Sequence, residues 1–573
     1  MTRFQFINAT LFSLLFLSSK TVYAASMTCA QLNNSIEIAL EKHVSSTQYD
    51  ESFVKAVLTR FSLTQAYDLG VLNPYSNDQE LVAFAKKQVE SYKENRGCLG
   101  FDAFHYFFAD QVSKREQELI SQRKDHESLS TSQNIYSNYP KKLVQRFKVI
   151  TKTLDSEALA VQHFESYLKN RLTRLFNPSK AGETREIILE AALKALDKHS
   201  SFIKFESSAD NSVLESYGID GFALDLVDDE NDGLIRIETK DEPLPTLLID
   251  LLCVKKTERL SLVPLDHRSS DLRRKIADSS CDSLQVATRN DLGNKVLKSL
   301  FKESAESLLE RISAKEYEGI PWIFVPSFYD DEITIKGATL RISSSKDFAA
   351  LINLLQINAR KKLVIDMRGN AGGYIHEANQ MLSQLFNSKK PNFYLVSGGV
   401  KTDYNSNGLR QIVDDDVKIV LLTDYETVSA GELFAMSFKA NNRGNIYGSP
   451  RTYGKGVAQS SVELSEKLGT LNITDSYFID TNGFSPQRYG VTPDWVIDNT
   501  EAPEDLEEKT DNAAPAYQVQ STNKTISMKE KSSALYSNMN SCHKIHLHDL
   551  DYERDDLAIA KFIKCVWQGL LNR

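Results

Sequence analysis

Two short apolar runs, Leu363-Val364-Ile365 and Ile419-Val420-Leu421-Leu422, each end abruptly in a turn-forming stretch, and this constrains the fold more than any other feature of the 573 residues. A run of that length bounded by turn residues reads as a buried strand. The first opens into Asp366-Met367-Arg368-Gly369-Asn370-Ala371-Gly372-Gly373, a glycine-rich loop that delivers backbone amides. The second leads through Thr427-Val428-Ser429-Ala430-Gly431-Glu432 into a helix, Ala430 to Asn442, with Leu433, Phe434, Ser437 and Phe438 on one face. Strands and helices alternate from Trp322 to about residue 448. Each crossover between parallel strands takes a dozen or more residues, so the pattern predicts an α/β core with parallel pairing. Beyond Lys455, segments 459–462, 470–474 and 477–480 alternate like antiparallel strands, and Gly490 to Ile497 reads as a turn plus an edge strand.

Ser429 falls where the second helix begins. Its hydroxyl lies beside amides that lack intrahelical partners and at the positive end of the helix dipole, a setting suited to a developing oxyanion. The same position suits a plain helix cap, so the serine by itself does not define a nucleophile. The nearest base is Lys455, flanked by Gly454 and Gly456. A lysine deprotonates a serine only when neutral, and burial is what lowers its pKa from about 10.4.

Taken in order, D-M-R-G-N-A-G-G, S-A-G-E, Y-G-K-G and Gly490-Val491-Thr492-Pro493-Asp494 resemble the signatures of the carboxyl-terminal processing (tail-specific) serine peptidases, in particular the larger periplasmic ones. The resemblance implies Ser429 as nucleophile, Lys455 as general base and Gln459 as the group that orients the lysine amine. It implies oxyanion donors at the amide of Ala430 and at a glycine amide of the Gly372-Gly373 pair. No cofactor is implied. The chain departs from the pattern in two places: the serine-to-lysine interval is one residue longer, within residues 448–452, and Ala440 and Asn441 stand where some relatives carry an aspartate.

The length exceeds one core and predicts three or four domains. A net charge of -9 gives no support to nucleic-acid binding. Met1-Thr2-Arg3, the apolar Phe4 to Leu17 and Val22-Tyr23-Ala24 read as a signal peptide cut after Ala24, since the apolar run is shorter than a spanning helix needs. A periplasmic or secreted destination follows, with no stable membrane span. Six cysteines, an even number, suit an oxidising compartment and fall into local pairs, 29 with 98, 253 with 281 and 542 with 565, out of fifteen connectivities. No C-x-x-C occurs and no histidines cluster with cysteines, so no structural metal is expected.

Six segments are expected: a signal peptide (1–24), an N-terminal α-helical domain (25–200), a PDZ-like α+β insertion (201–318), the α/β catalytic core with a mixed sheet (319–500), a linker (501–533) and a C-terminal helical segment (534–573). In the first domain, Ser76-Asn77-Asp78 caps a helix through Leu81, Phe84, Ala85 and Val89, and Asp155-Ser156 caps another through Leu159 and Phe164. A third carries Ile188, Ala191, Ala192, Ala195 and Leu196 and ends at Asp197-Lys198-His199-Ser200, similar to the turn before the insertion in tail-specific proteases. His199 reads as a turn histidine. In the insertion, Gly218, Ile219 and Gly221 resemble the carboxylate-binding loop of PDZ domains, although the later G-D-x-I motif is missing, which leaves a family-specific insertion as the alternative. Residues 294–318 read as a charged, solvent-facing helix. After the polar stretch from Glu501, Asp555-Asp556 caps an apolar helix that must bury its face on the N-terminal helices or on a partner.

Together these features predict an exported serine endopeptidase that recognises protein substrates by their C-terminal tails, with an adaptor protein as a candidate partner, and cleaves them through a Ser-Lys dyad and an acyl-enzyme. The alternatives are a catalytically silent peptide-binding or scaffold protein on the same fold and a small-ligand carrier.

Overall fold

The computed structural model describes residues 27–45, 47–66, 78–95, 97–108, 110, 114, 181–204, 222, 224–228, 235–239, 242–253, 258–261, 272, 276, 283–289, 295–301, 311–335, 338–386, 391–405, 410–464, 468–497, 506, 514–517, 542 and 556–571. At its centre lies a six-stranded sheet in the order Trp495–Val496, Asn445–Gly448, Lys418–Thr423, Lys362–Asp366, Ile320–Phe324 and Ser313–Tyr317. Neighbours are parallel except the last pair, so the sheet is mixed.

The two apolar runs are strands of this sheet, and their lack of alternation has a simple cause. Leu363, Ile365, Ile419 and Leu421 pack in one core with Phe348, Ile352, Met381, Leu382, Leu433 and Phe434, from the helices Ser344–Leu354, Ile375–Leu385 and Ala430–Ala440. Val364, Val420 and Leu422 point the other way, toward Phe562, Ile563, Val566 and Trp567 of the C-terminal helix Asp556–Leu571. Both faces are dry, so successive residues of a strand must all be apolar. Burial of each large side chain is worth roughly 1.5–3 kcal/mol, which makes the C-terminal helix an integral layer on the central sheet rather than an appendage. Arg368 ties the helix to the sheet through Asp366 (2.5 Å) and Asp556 (2.6 Å), and Cys542 is bonded to Cys565.

A second, antiparallel sheet runs Ser201–Lys204, Gly469–Ile479, Phe393–Ser397, Val400–Tyr404, with Val457–Glu463 also paired to Gly469–Ile479. Segments 470–474 and 477–480 are thus one long strand, irregular opposite Ala458 and Gln459. The N-terminal helices Cys29–Lys42, Glu51–Ala66, Asp78–Asn95 and Ala181–Leu196 share a core with Leu464, Leu468, Leu471 and Ile473 of that hairpin. Cys29 is bonded to Cys98.

The insertion forms a separate antiparallel sheet of Leu224–Asp228, Ile235–Thr239, Glu242–Cys253, Ser283–Arg289 and Lys295–Phe301, with Glu258–Ser261 added to its long strand. Phe222, Leu226, Ile237, Leu251, Leu272 and Ile276 form its core. Gly218, Ile219, Gly221 and Cys281 lie outside the described residues, as do the expected signal peptide and the Asp155 helix.

Two expectations are corrected. Residues 294–318 do not form a solvent-facing helix: Lys295–Phe301 is a strand of the insertion and Ser313–Tyr317 the antiparallel edge of the central sheet. Along the first, Leu297, Ser299 and Phe301 are exposed while Lys298 and Leu300 are half-buried, a period of two that pairing with Ser283–Arg289 imposes over the charged composition. Within the expected linker, Leu506 and Ala514 are buried, and Ala514 packs with Val457 and Tyr477, so this stretch is not all tether. Among the described residues no helix is long and apolar enough to cross a membrane.

Candidate active site

Three loops meet at the carboxyl ends of the parallel strands, where open α/β sheets offer a crevice. The loop after Lys362–Asp366 and the loop after Lys418–Thr423 are laced together: the Val428 amide donates to the Asn370 carbonyl (2.8 Å), the Gly369 amide to Asp424 (3.0 Å) and the Thr427 hydroxyl to the Met367 carbonyl (2.8 Å). Gly372 is pressed against the serine. A Cβ there would stand 2.9 Å from Ser429 Cβ, and its φ of +107° suits glycine alone. A Cβ on Gly373 would stand 2.3 Å from the Phe328 carbonyl oxygen.

Ser429 is the N-cap of the helix Ala430–Ala440, with φ 54° and ψ −116°. A serine there carries backbone strain of about 1–3 kcal/mol, which persists only when its surroundings over-determine it. Here the constraint comes from Glu432. This fully buried carboxylate accepts the amides of Ser429 (3.1 Å), Gly454 (2.7 Å) and Lys455 (2.7 Å) and the hydroxyl of Thr452 (2.5 Å). One side chain therefore holds the backbones of both Ser429 and Lys455. Burial pushes its carboxyl up to about 7, against these four hydrogen bonds.

Lys455 Nζ reaches Ser429 Oγ at 3.5 Å and donates to Gln459 Oε1 at 2.9 Å. Gln459 Nε2 donates to Thr474 Oγ1 at 3.1 Å. Ser429, Lys455 and Gln459 are each half-buried. Ala430 opens the helix beside Ser429. The Gly372 amide is engaged by Asn370 Oδ1 (2.8 Å), and Asn370 is itself anchored through Nδ2 to the Val325 carbonyl (2.8 Å). Among the described residues no hydrogen bond engages the Gly373 amide.

The structure thus brings together Ser429, Lys455, Gln459, Ala430, Gly372 and Gly373. His199 lies in the turn, its amide donating to Asp197 Oδ1 (2.6 Å). Glu432 was legible in the S-x-x-E spacing of a capping box, which reads as a helix start without disclosing the reach to Lys455. Asn370 was part of the glycine-rich run and carried no signal of its role. Thr474 had none either, since its partners lie far away in sequence.

A possible metal cluster lies apart from this site. Asp330, His376 and Glu377 converge within 4.8 Å, but Asp330 is paired with Arg341 (2.6 Å) and Glu377 Oε2 is held by Ser343, Ser344 and Ser345. Those carboxylates are already satisfied, one of them by a cation.

Residues 322–497, well under half of the chain, match the profile of peptidase family S41. The chain is similar to the "Carboxyl-terminal-processing peptidase 2, chloroplastic" of Arabidopsis thaliana, 31% identical over 28% of this chain and 30% of that protein. It is similar to a "Probable CtpA-like serine protease" of Staphylococcus aureus, 31% identical over 24% of this chain and 27% of that one. The matched part thus spans less than a third of these relatives' own length. The solved structure titled "Photosystem II D1 C-terminal processing protease" aligns over 65% of this chain and 98% of its own, at 15% identity and a TM-score of 0.38. The motifs that converge on one serine thus lie within a segment, 322–497, that matches peptidase family S41 and is similar in sequence to carboxyl-terminal processing peptidases.

Proposed function

We propose that this chain is a serine endopeptidase that cleaves polypeptides through an acyl-enzyme, with Ser429 as nucleophile, Lys455 as general base and Gln459 as the residue that orients the lysine. The observation that carries this reading is the contact between Lys455 Nζ and Ser429 Oγ at 3.5 Å, made by a lysine whose other partner is Gln459. That separation is looser than a working hydrogen bond, as is common in resting enzymes.

In the reaction, neutral Lys455 takes the hydroxyl proton as Ser429 Oγ bonds to the carbonyl carbon. The oxyanion is met by the amides of Ala430 and Gly373, because Gly372 is engaged by Asn370 and serves to keep the loop against the serine. As the carbon–nitrogen bond breaks, the lysine ammonium gives its proton to the leaving amine. Water, deprotonated by Lys455, then hydrolyses the ester and frees Ser429. Each oxyanion donor is worth about 3 kcal/mol of transition-state stabilisation.

Substrates of this class are extended protein chains, and we assign the insertion to the capture of their C-terminal tails, with Gly218, Ile219 and Gly221 as the carboxylate loop. We place the working protein outside the cytoplasm after removal of residues 1–24, in keeping with the disulfides Cys29–Cys98 and Cys542–Cys565. The N-terminal sequence of the exported chain, expected to begin at Ala25, tests that placement.

The activity is tested by incubating the purified chain with an unfolded protein and following fragments on a gel. Wild type should fragment it, and Ser429→Ala and Lys455→Ala should lose about 1,000-fold or more while keeping their melting temperatures. Equal behaviour of all three proteins removes the peptidase reading.

A further inference from the structure

Gln459 is useful to Lys455 only if its carbonyl oxygen faces the amine. The two ends of a glutamine amide have nearly the same shape, so packing alone does not choose between them. At the other end Nε2 donates to Thr474 Oγ1 (3.1 Å), and Thr474 is fully buried. A buried hydroxyl has no water to stand in for it, so the place of Thr474 decides where the far end of the amide sits and leaves Oε1 to face Lys455.

The position of Thr474 is set from the same side. Ala458 pairs with Ser476 but Gln459 with Thr474, so the strand bulges at Asp475, and a bulge re-aims side chains at the expense of its own ladder. The bulged segment is held by the N-terminal domain: Ser200 Oγ accepts the Thr474 amide (3.1 Å), and the Val44 amide donates to the Thr474 carbonyl (2.9 Å). Ser200 Oγ in turn donates to Asp197 Oδ2 (3.1 Å), and Asp197 Oδ1 accepts the amides of His199 (2.6 Å) and Ser200 (2.7 Å). His43, which ends the helix Cys29–Lys42, meets Asp197 Oδ2 through Nε2 with both side chains fully buried. Burial pushes the Asp197 carboxyl up, but His43 and the surrounding donors outweigh it and hold it at about 2, so the residue stays an acceptor at neutral pH.

We propose that His43, Asp197 and Ser200 of the N-terminal domain, acting through Thr474, are positioning residues that fix the orientation of Gln459 and so hold Lys455 toward Ser429. This rests on Lys455 being the general base. The N-terminal domain is then a part of the catalytic apparatus that works without touching substrate.

Steady-state cleavage of a peptide by the full-length chain tests this. Thr474→Val should lower kcat about tenfold with KM changed by less than about twofold, and Thr474→Ser, which keeps the hydroxyl, should restore it. Asp197→Asn, whose amide can donate where the carboxylate only accepts, should behave like Thr474→Val. In a Gln459→Ala background Thr474→Val should cost nothing further, because the group it steers is gone. The proposal is overturned if Thr474→Val keeps full kcat, or if it costs the same factor with and without Gln459, as a general loosening of the fold would. If Ser429→Ala cleaves as fast as wild type, the dyad itself is wrong. An inactive Ser429→Ala beside a fully active Thr474→Val rejects only the positioning role.

Discussion

Glu432 and Asp197 are both buried carboxylates that gather backbone amides around the site, yet their charges are controlled in opposite senses. Glu432 accepts three amides and a hydroxyl, all neutral donors, and burial still carries its pKa up to about 7. Asp197 suffers the same desolvation, but the imidazole of His43 lies against it and its pKa falls to about 2. The number of hydrogen bonds does not decide the charge of a buried acid; a partner that can carry the opposite charge does. The two serve different tasks. Glu432 joins the backbones of Ser429 and Lys455 within one domain, whereas Asp197 holds Ser200, which meets Thr474 of the other domain.

The comparison is broken most severely at Glu432. Glu432→Gln puts an amide NH2 against a pair of donors, so the Ser429 and Lys455 backbones separate, and kcat/KM should fall about 100-fold or more in the peptide assay. A variant with wild-type kcat/KM would show that the clamp is not needed. Next in size is stability: Asp197→Asn leaves His43 without its carboxylate and should lower the unfolding free energy by about 3 kcal/mol in urea, against about 1 kcal/mol for Glu432→Gln. Equal losses would erase the distinction drawn between the two acids.

Their pH signatures should also oppose each other. The folded-state pKa of Glu432 lies above its ordinary 4.5, so its contribution to stability is full below 4.5 and is lost as pH rises through about 7. For Asp197 the folded-state value lies below the ordinary 3.8, so its contribution is present above 3.8 and lost as pH falls through about 2. Urea midpoints of wild type and Glu432→Gln between pH 2 and pH 8 separate these: the variant should lose the decline above 4.5 and keep the acid limb. The smallest effect is expected from Thr452→Ser, which retains the hydroxyl that donates to Glu432 and accepts the Val491 amide (2.7 Å). Its kcat/KM should stay within about twofold of wild type, whereas Thr452→Val should lose about tenfold.

Legibility followed sequence distance. The strands Lys362–Asp366 and Lys418–Thr423, the helix Ala430–Ala440 and the edge strand at Trp495–Val496 were all readable, because each is signalled by a local run with a turn at its end. Ser429, Lys455 and Gln459 are nominated by motif order, and the structure brings their side chains together. Residues 295–301 and 313–317 were misread because their charges suggested a helix, while partner strands that no local pattern reveals made them β. The C-terminal helix was placed on the N-terminal helices or on a partner, but its apolar face covers the back of the central sheet. His199 attracts attention because it stands in a motif, yet the histidine that meets the carboxylate of this turn is His43, 154 residues away from Asp197.

The order of residues alone was enough to specify a layered α/β core and to nominate a serine, a lysine and a glutamine, since hydrophobic period and turn chemistry act over a few residues and leave their mark locally. Only the folded chain decided that Glu432 joins Ser429 to Lys455, that Gly372 is engaged by Asn370, and that Thr474 meets Ser200 across 274 positions. Hydrogen-bond polarity and the desolvation of a buried acid depend on which groups become neighbours. That is settled when domains pack, and no local pattern records it.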